Sequence, residues 1–295
     1  MNYKKFCEEL AEEVKRQAKE KTEVKLQKIR KNNGVEADAL EICTPGSRFS
    51  PILYLEEFYE QYLKGVSVTH LAALMLDYYE EFRKNPPVFE DTFETYEQAA
   101  PEIFCKLINY EKNSSLLTQV PHERWLDLAV VYYYQMELSG EEATILIRNS
   151  HLKQWKITGA RLRQDAWDNT LKRMAPCWKN LTEILEEAGL KQEDGQEPAV
   201  PVYLLTNTKK CLGAICIRYP RMAEFIAGRL KSDYYVLPSS IHECLILPAG
   251  AFSGSQLRNM VREINETRLP PQEVLSDQVY FYDRNLRRLS VSRDE

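Results

Sequence analysis

Residues 234–248 read YYVLPSSIHECLILP, from Tyr234 to Pro248. Two short apolar runs, Tyr234–Leu237 and Glu243–Leu247, flank a polar corner of Pro238, Ser239, Ser240, Ile241, His242 and Glu243. Apolar runs this short, bounded by Pro and rich in aromatic and branched side chains, predict buried strands. The corner groups two hydroxyls, an imidazole and a carboxylate, the densest chemistry in the chain. The stretch therefore predicts a fold built on a sheet and marks the first place to look for function.

Downstream, Leu257, Met260, Val261 and Ile264 recur at helical spacing, and Val279–Tyr282 with Leu286–Val291 reads as a closing hairpin. Upstream, Val202–Thr206 and Leu212–Arg218 predict a hairpin about Asn207. Met222, Phe225, Ile226 and Leu230 then form an amphipathic helix. The polar stretch KQEDGQEPAVP, Lys191–Pro201, reads as a linker. Before it lie strands over Ile103–Tyr110, Leu126–Met136 and Ala143–Arg148, with Gly140 in a turn. Helices are expected near Tyr96 and over Thr158–Met174 and Trp178–Ala188. Strand–strand–helix order in 126–174 and again in 202–230 suggests two ββα-type units.

The first third has a different pattern. Tyr3, Phe6, Leu10, Val14 and Ala18 mark a helix over 3–20. Thr22–Lys31 and Val35–Cys43 are strands around Asn33-Gly34, a turn pair that tolerates positive φ, and Pro45-Gly46 closes the second. A helix over Ile52–Leu63 ends at Gly65. Ser67 caps a third helix with Leu71, Met75, Tyr78 and Phe82 on one stripe. Asn85-Pro86-Pro87 stops that helix. The fold class is thus α+β: an N-terminal α-β-β-α-α module over 1–90, then a mixed region over 91–295 with two ββα-type units and a C-terminal hairpin.

The chain of 295 residues is 44% apolar and 28% charged, an ordinary globular composition. Its net charge of −5 argues against a dedicated nucleic-acid binder. Residues 1–31 carry ten Lys/Arg against six Asp/Glu, the pattern of a solvated basic helix face. Seven scattered cysteines, among them Cys105, Cys216 and Cys244 in apolar runs, fit reduced buried thiols better than a disulfide framework. The amphipathic start lacks a signal-peptide core, and no apolar run approaches the roughly 18–20 residues of a membrane span. A cytoplasmic location with no membrane association is the expectation.

Several words carry a resemblance. VYLLTN (202–207), SDYYVLPSSIHECLILP (232–248), MVREIN (260–265) and PQEVLSDQVYFYDR (271–284) resemble the uncharacterised domain-of-unknown-function family 5688 of gut Firmicutes. KNNGV (31–35), LYLEEFYEQYLKG (53–65), INYEKN (108–113) and ATILIRNSHLKQW (143–155) extend that resemblance over nearly the whole chain. The order of elements is also similar to the uncharacterised YtpQ-like family. Neither resemblance implies an activity or a catalytic residue; both imply a bacterial, cytoplasmic protein.

The candidate catalytic residues are Ser240, His242 and Glu243. On a strand, Ser240 and His242 would share a face and could pair as nucleophile and base, while Glu243 would point away. Asp277 or Asp283 could supply a distant acid. The alternative is structural: Pro-Ser-Ser makes a turn, hydroxyls cap backbone groups and the imidazole tethers a neighbouring loop. No metal is expected. His242-Glu243 and His122-Glu123 lack the second His of H-E-x-x-H, and Cys211 and Cys216 would face opposite sides of a strand. No cofactor is expected either, since phosphate-loop and dinucleotide fingerprints are missing. Gly250–Ser255 before a helix reads as a loop and N-cap. Tyr59–Phe82 has helix-turn-helix order, but its second helix lacks groups to reach bases, so a packed helical hairpin is favoured. Tyr78-Tyr79, Tyr132–Tyr134 and Tyr234-Tyr235 read as core and edge packing, with any exposed tyrosine suited to a partner surface. The favoured function is non-enzymatic contact with a protein partner or with itself. The alternative is a small hydrolase or transferase using Ser240 and His242.

Overall fold

The computed structural model describes residues 1–45, 50–84, 93–138, 141–187 and 200–292. Gly46, the Pro86-Pro87 stop, Gly140 and residues 191–199 of the expected linker lie outside the described residues. The chain divides into two compact units. One comprises Met1–Glu90 with Glu137–Glu141, the other Asp91–Met136 with Glu142–Glu295.

In the first unit, Asn2 opens helix α1 (Tyr3–Gln17) by accepting the Lys5 N–H at 2.9 Å. The helix buries Phe6, Cys7, Leu10, Ala11 and Val14. Strands β1 (Glu23–Arg30), β2 (Glu36–Cys43) and β3 (Ile52–Tyr54) make an antiparallel sheet in that order. Asn33 (φ 59°) and Gly34 (φ 70°) form the turn between β1 and β2, as their tolerance of positive φ requires. Helix α2 (Leu55–Leu63) and helix α3 (Val68–Lys84) follow. Ser67 Oγ accepts the His70 N–H at 3.2 Å, at the start of α3.

Two sequence readings change here. Ile52–Tyr54 is a strand rather than a first helical turn, because its backbone pairs with Ala39–Glu41. The buried stripe of α3 is Leu71, Ala72, Met75 and Tyr79, whereas Tyr78 stands 44% exposed. Tyr79 is drawn inward by packing with α1 and β2 and by its hydroxyl contact with Thr44 Oγ1 at 2.5 Å.

The second unit holds two antiparallel sheets. The smaller comprises β4 (Ile103–Asn109), β5 (His122–Trp125), β6 (Leu128–Leu138) and β7 (Glu141–Leu146), with β6 paired to the other three. Strand β5 had no apolar signal. Its link to β6 is a tight turn at Leu126 (φ 54°) and Asp127, a position where leucine gives no hint of positive φ. The larger sheet runs β13-β12-β10-β11-β9-β8, with β8 (Pro176–Asn180), β9 (Tyr203–Asn207), β10 (Tyr234–Leu237), β11 (Cys244–Pro248), β12 (Tyr280–Asp283) and β13 (Arg288–Val291). The α+β class and the C-terminal hairpin are thus present.

Period-2 alternation divides the larger sheet between two cores. Tyr234, Val236, Cys244, Ile246, Leu205, Tyr280 and Tyr282 face the main core. Leu237 and Leu247, with Tyr235 and Leu245, pack instead against Leu257 and Val261 of a C-terminal helix (Gly254–Thr267). The main core also takes Cys105, Leu107, Val130 and Tyr132 from the smaller sheet, and Leu162 and Ala166 from a helix over Gly159–Arg173. Cys105, Cys216 and Cys244 are free and buried. Burial pushes the Cys105 and Cys216 thiols up to about 12.

Two further corrections fall in this unit. Trp178 lies on strand β8, not in a helix. It stacks on Tyr203 at 4.6 Å, and the helix begins only at Leu181, where Asn180 Oδ1 accepts the Thr182 N–H at 2.9 Å. Residues 212–218 are not a strand, so 202–230 lacks the expected second strand. Gly213–Arg218 winds as a 3₁₀ helix with Gly213, Ala214, Ile215, Cys216 and Ile217 all buried. A segment apolar on every side has no period to reveal its backbone. Both edges of β9 are already taken by β8 and β11.

The buried 3₁₀ segment enters at Gly213. A Cβ there would meet Thr206 Oγ1, the Asn207 backbone N at 2.6 Å and the His242 carbonyl O at 2.7 Å. Two of these atoms are backbone and cannot swing away. Gly213→Ala should therefore cost about 2–4 kcal/mol of stability, read as a lowered midpoint in urea with little change in slope.

Candidate functional site

The polar corner is not a strand, so alternation does not govern it. Its backbone pairs with residues 273–276: Ile241 N–H donates to Glu273 C=O (2.9 Å), Leu275 N–H to Ser239 C=O (2.7 Å) and Ser276 N–H to Pro238 C=O (2.9 Å). Ala214 N–H donates to Ile241 C=O at 3.3 Å, and Thr206 Oγ1 donates to His242 C=O at 2.8 Å. Three other chain segments thus supply hydrogen-bond partners to the corner's backbone.

The three candidate side chains come together in this frame. Ser240, only 2% exposed, accepts the His242 backbone N–H on Oγ at 3.0 Å. Burial raises the Glu243 carboxyl above its usual range, against the opposing pull of His242 and Ser240. The His242 ring turns elsewhere: Nδ1 accepts the Leu212 N–H at 3.2 Å, and Nε2 faces Glu273 Oε2 at 3.9 Å. Glu273 beside the imidazole was missed in the sequence, where it stands 31 residues from His242.

The two distant acids lie in other contacts. Asp283 Oδ1 accepts the N–H groups of Asn285 and Leu286 in the β12–β13 turn. Asp277 accepts from Asn265 Nδ2 at 2.8 Å and from Lys112 Nζ at 3.2 Å. Burial pushes the Asp277 carboxyl up, but the Asn265 amide and Lys112 outweigh it and leave it low.

Asp277 belongs to a second polar group that sequence reading did not assemble. Asn109 donates from Nδ2 to Leu275 C=O (3.0 Å) and accepts the Lys112 N–H (2.9 Å). Asn113 Nδ2 donates to Asn109 C=O at 2.9 Å, and Asn265 Nδ2 to Ser276 C=O at 3.0 Å. Asp127 accepts from Ser276 Oγ at 2.6 Å and from the Tyr280 hydroxyl at 2.5 Å. INYEKN, MVREIN and LSDQVYFYDR thus meet in one network, although 166 residues separate Asn109 from Leu275. The available signal was their shared polar content amid apolar neighbours. The pairing itself depends on topology.

The remaining candidates resolve simply. Ser253 caps the helix over Gly254–Thr267 in a reciprocal box with Gln256. His122 bonds Val120 C=O through Nδ1 at 3.1 Å. Leu71, Ala72, Met75 and Tyr79 of α3 pack within the first unit's core. Among the described residues, no group of three His, Cys, Asp or Glu stands close enough to hold a metal ion, and no helix is long and apolar enough to cross a membrane.

This is a two-unit α+β protein with two hydrogen-bonded polar joints in its second unit. Residues 3–284 match a family of unknown function, DUF5688, and the chain belongs to it. No curated protein matches the chain, and no solved structure does.

The second joint gives a test. Tyr280 is fully buried, and Asp127 is its hydroxyl's acceptor. Asp127→Ala should cost about 1–3 kcal/mol, the penalty of an unsatisfied buried hydroxyl. Combining it with Tyr280→Phe should cost less than the sum of the two single changes, because the second change removes the stranded group. Chemical denaturation of the four proteins checks this.

Proposed function

We propose that the protein is a non-enzymatic bacterial protein of the cytoplasm, acting by contact with another protein or with a second copy of itself. The observation that carries the reading is how Ser240 and His242 are used. The serine oxygen serves the His242 amide and the imidazole nitrogen serves the Leu212 amide, so neither addresses the other as nucleophile and base. Ser240 is also buried, whereas a nucleophile must open onto its substrate. Free, buried thiols support a reducing compartment. Exposed Met260 (47%) and Ile264 (38%), one turn apart on the helix over Gly254–Thr267, offer apolar contact area.

The test separates structure from catalysis. His242→Ala strands the Leu212 N–H and should lower stability by about 1–3 kcal/mol. Ser240→Ala should have a smaller effect of the same sign. Serine-directed fluorophosphonate probes should leave Ser240 unlabelled in the wild type. Labelling at Ser240 that vanishes in His242→Ala, with the melting temperature unchanged, would replace this reading with that of a hydrolase.

A further inference from the structure

Away from the corner, the second unit has a cleft of about 510 Å³ between the helix Met222–Leu230 and the turn joining β12 to β13. Arg221, Arg284 and Arg287 line it, with Glu224, Gly228 and Tyr282. Its volume is in the range of small-molecule sites, roughly 300–1,000 Å³. Three guanidiniums around one cleft are notable in a chain of net charge −5.

The nearby carboxylates do not neutralise them by direct pairing. Asp233 accepts the Arg284 backbone N–H at 2.9 Å, and Asp283 accepts those of Asn285 and Leu286. Both acids shape the turn that presents Arg284 and Arg287. Arg284 is itself braced, with one guanidinium nitrogen on Lys231 C=O at 2.7 Å. Among the described residues, neither Arg221 nor Arg287 has a carboxylate within ion-pair reach. Arg221 holds its place at the helix start in the left-handed region, φ 61°. Tyr282, 2% exposed, stacks on Tyr234 at 4.9 Å and gives the cleft a rigid wall. At Gly228 a Cβ would meet nothing within 4 Å, so the helix surface there is open to a ligand.

We propose that this cleft binds a small phosphate-bearing molecule, its phosphate oxygens held by the guanidinium groups of Arg221, Arg284 and Arg287. Planar guanidinium forks match phosphate oxygens, and each phosphate can engage more than one of them. A diphosphate fits better than a lone carboxylate because its charge answers three cations against the single Glu224. The site shares no residue with the corner or with the Asp127 network, so it stands or falls independently of the function proposed above.

Inorganic pyrophosphate is the first probe, titrated into the full chain by calorimetry and thermal shift at low, constant ionic strength. Saturable binding and a concentration-dependent rise in melting temperature are expected. Arg221→Gln and Arg287→Gln should each weaken binding by about tenfold or more, the scale of a charge-assisted hydrogen bond. Glu224→Gln should tighten it by removing the one opposing charge. Gly228→Trp should block it while the ligand-free protein still melts cooperatively. Binding that is absent, non-saturable or equal in the arginine variants overturns the proposal. So does a result in which RNA or anionic vesicles engage these arginines and pyrophosphate does not.

Discussion

The second unit depends on one close approach. Gly213 lies where a methyl group would strike the end of β9 and the carbonyl of His242. That contact lets a 3₁₀ segment buried from Gly213 to Ile217 run beside an antiparallel sheet whose edges at β9 are already occupied. The surrounding polar groups follow from it. A buried irregular segment cannot satisfy its amides by ladder pairing, so they need other acceptors. The Leu212 amide takes the His242 imidazole and the Ala214 amide takes Ile241 C=O, while Asn207 Nδ2 holds Cys211 C=O at 2.8 Å. At this crossing of chain segments the Ser240 hydroxyl and the His242 imidazole both accept backbone amides.

Where a pattern is bounded by turn residues, the sequence was legible. Helix α1 follows from its 3.6 period, the Asn33-Gly34 turn from its tolerance of positive φ, and strands β4, β6, β10 and β11 from short continuous apolar runs. The misreadings share a cause. Gly213–Ile217 is apolar all round and has no period, Ile52–Tyr54 is three residues attached to a helix, and Trp178 looks helical until Tyr203 stacks on it. Tertiary pairing decided each of these. At the candidate site the sequence identified the residues and not their geometry. Ser240, His242 and Glu243 do meet, but through a turn that directs each toward backbone or burial. Glu273, Leu212 and Thr206, which complete the corner, are spread over nearly seventy residues of chain and cannot be associated by spacing.

The same division applies to the second joint. Asn109, Asn265, Ser276 and Tyr280 are buried polar residues whose partners belong to distant segments. Such networks make a fold specific, because any slipped pairing leaves several groups unsatisfied at once. The family words INYEKN, MVREIN and LSDQVYFYDR therefore have a physical reason to occur together in this chain, whether or not a ligand is ever bound near them. The arginine-lined cleft is of the opposite kind. Its charged groups are exposed, two of them without a carboxylate partner among the described residues, and fold stability alone gives no account of their convergence.

The central claim is that His242 serves the Leu212 amide as an acceptor and is not available as a base toward Ser240. Its most direct measurement is the tautomer of the His242 ring, read from ¹⁵N shifts and long-range ¹H–¹⁵N couplings at neutral pH. Acceptance from Leu212 requires Nδ1 to be unprotonated, which places the proton of the neutral ring on Nε2, toward Glu273. The Nε2–H form is expected, with the Leu212 amide protected from exchange in the wild type and exposed in His242→Ala. A ring protonated on Nδ1, or a Leu212 amide that exchanges freely in the wild type, would contradict it.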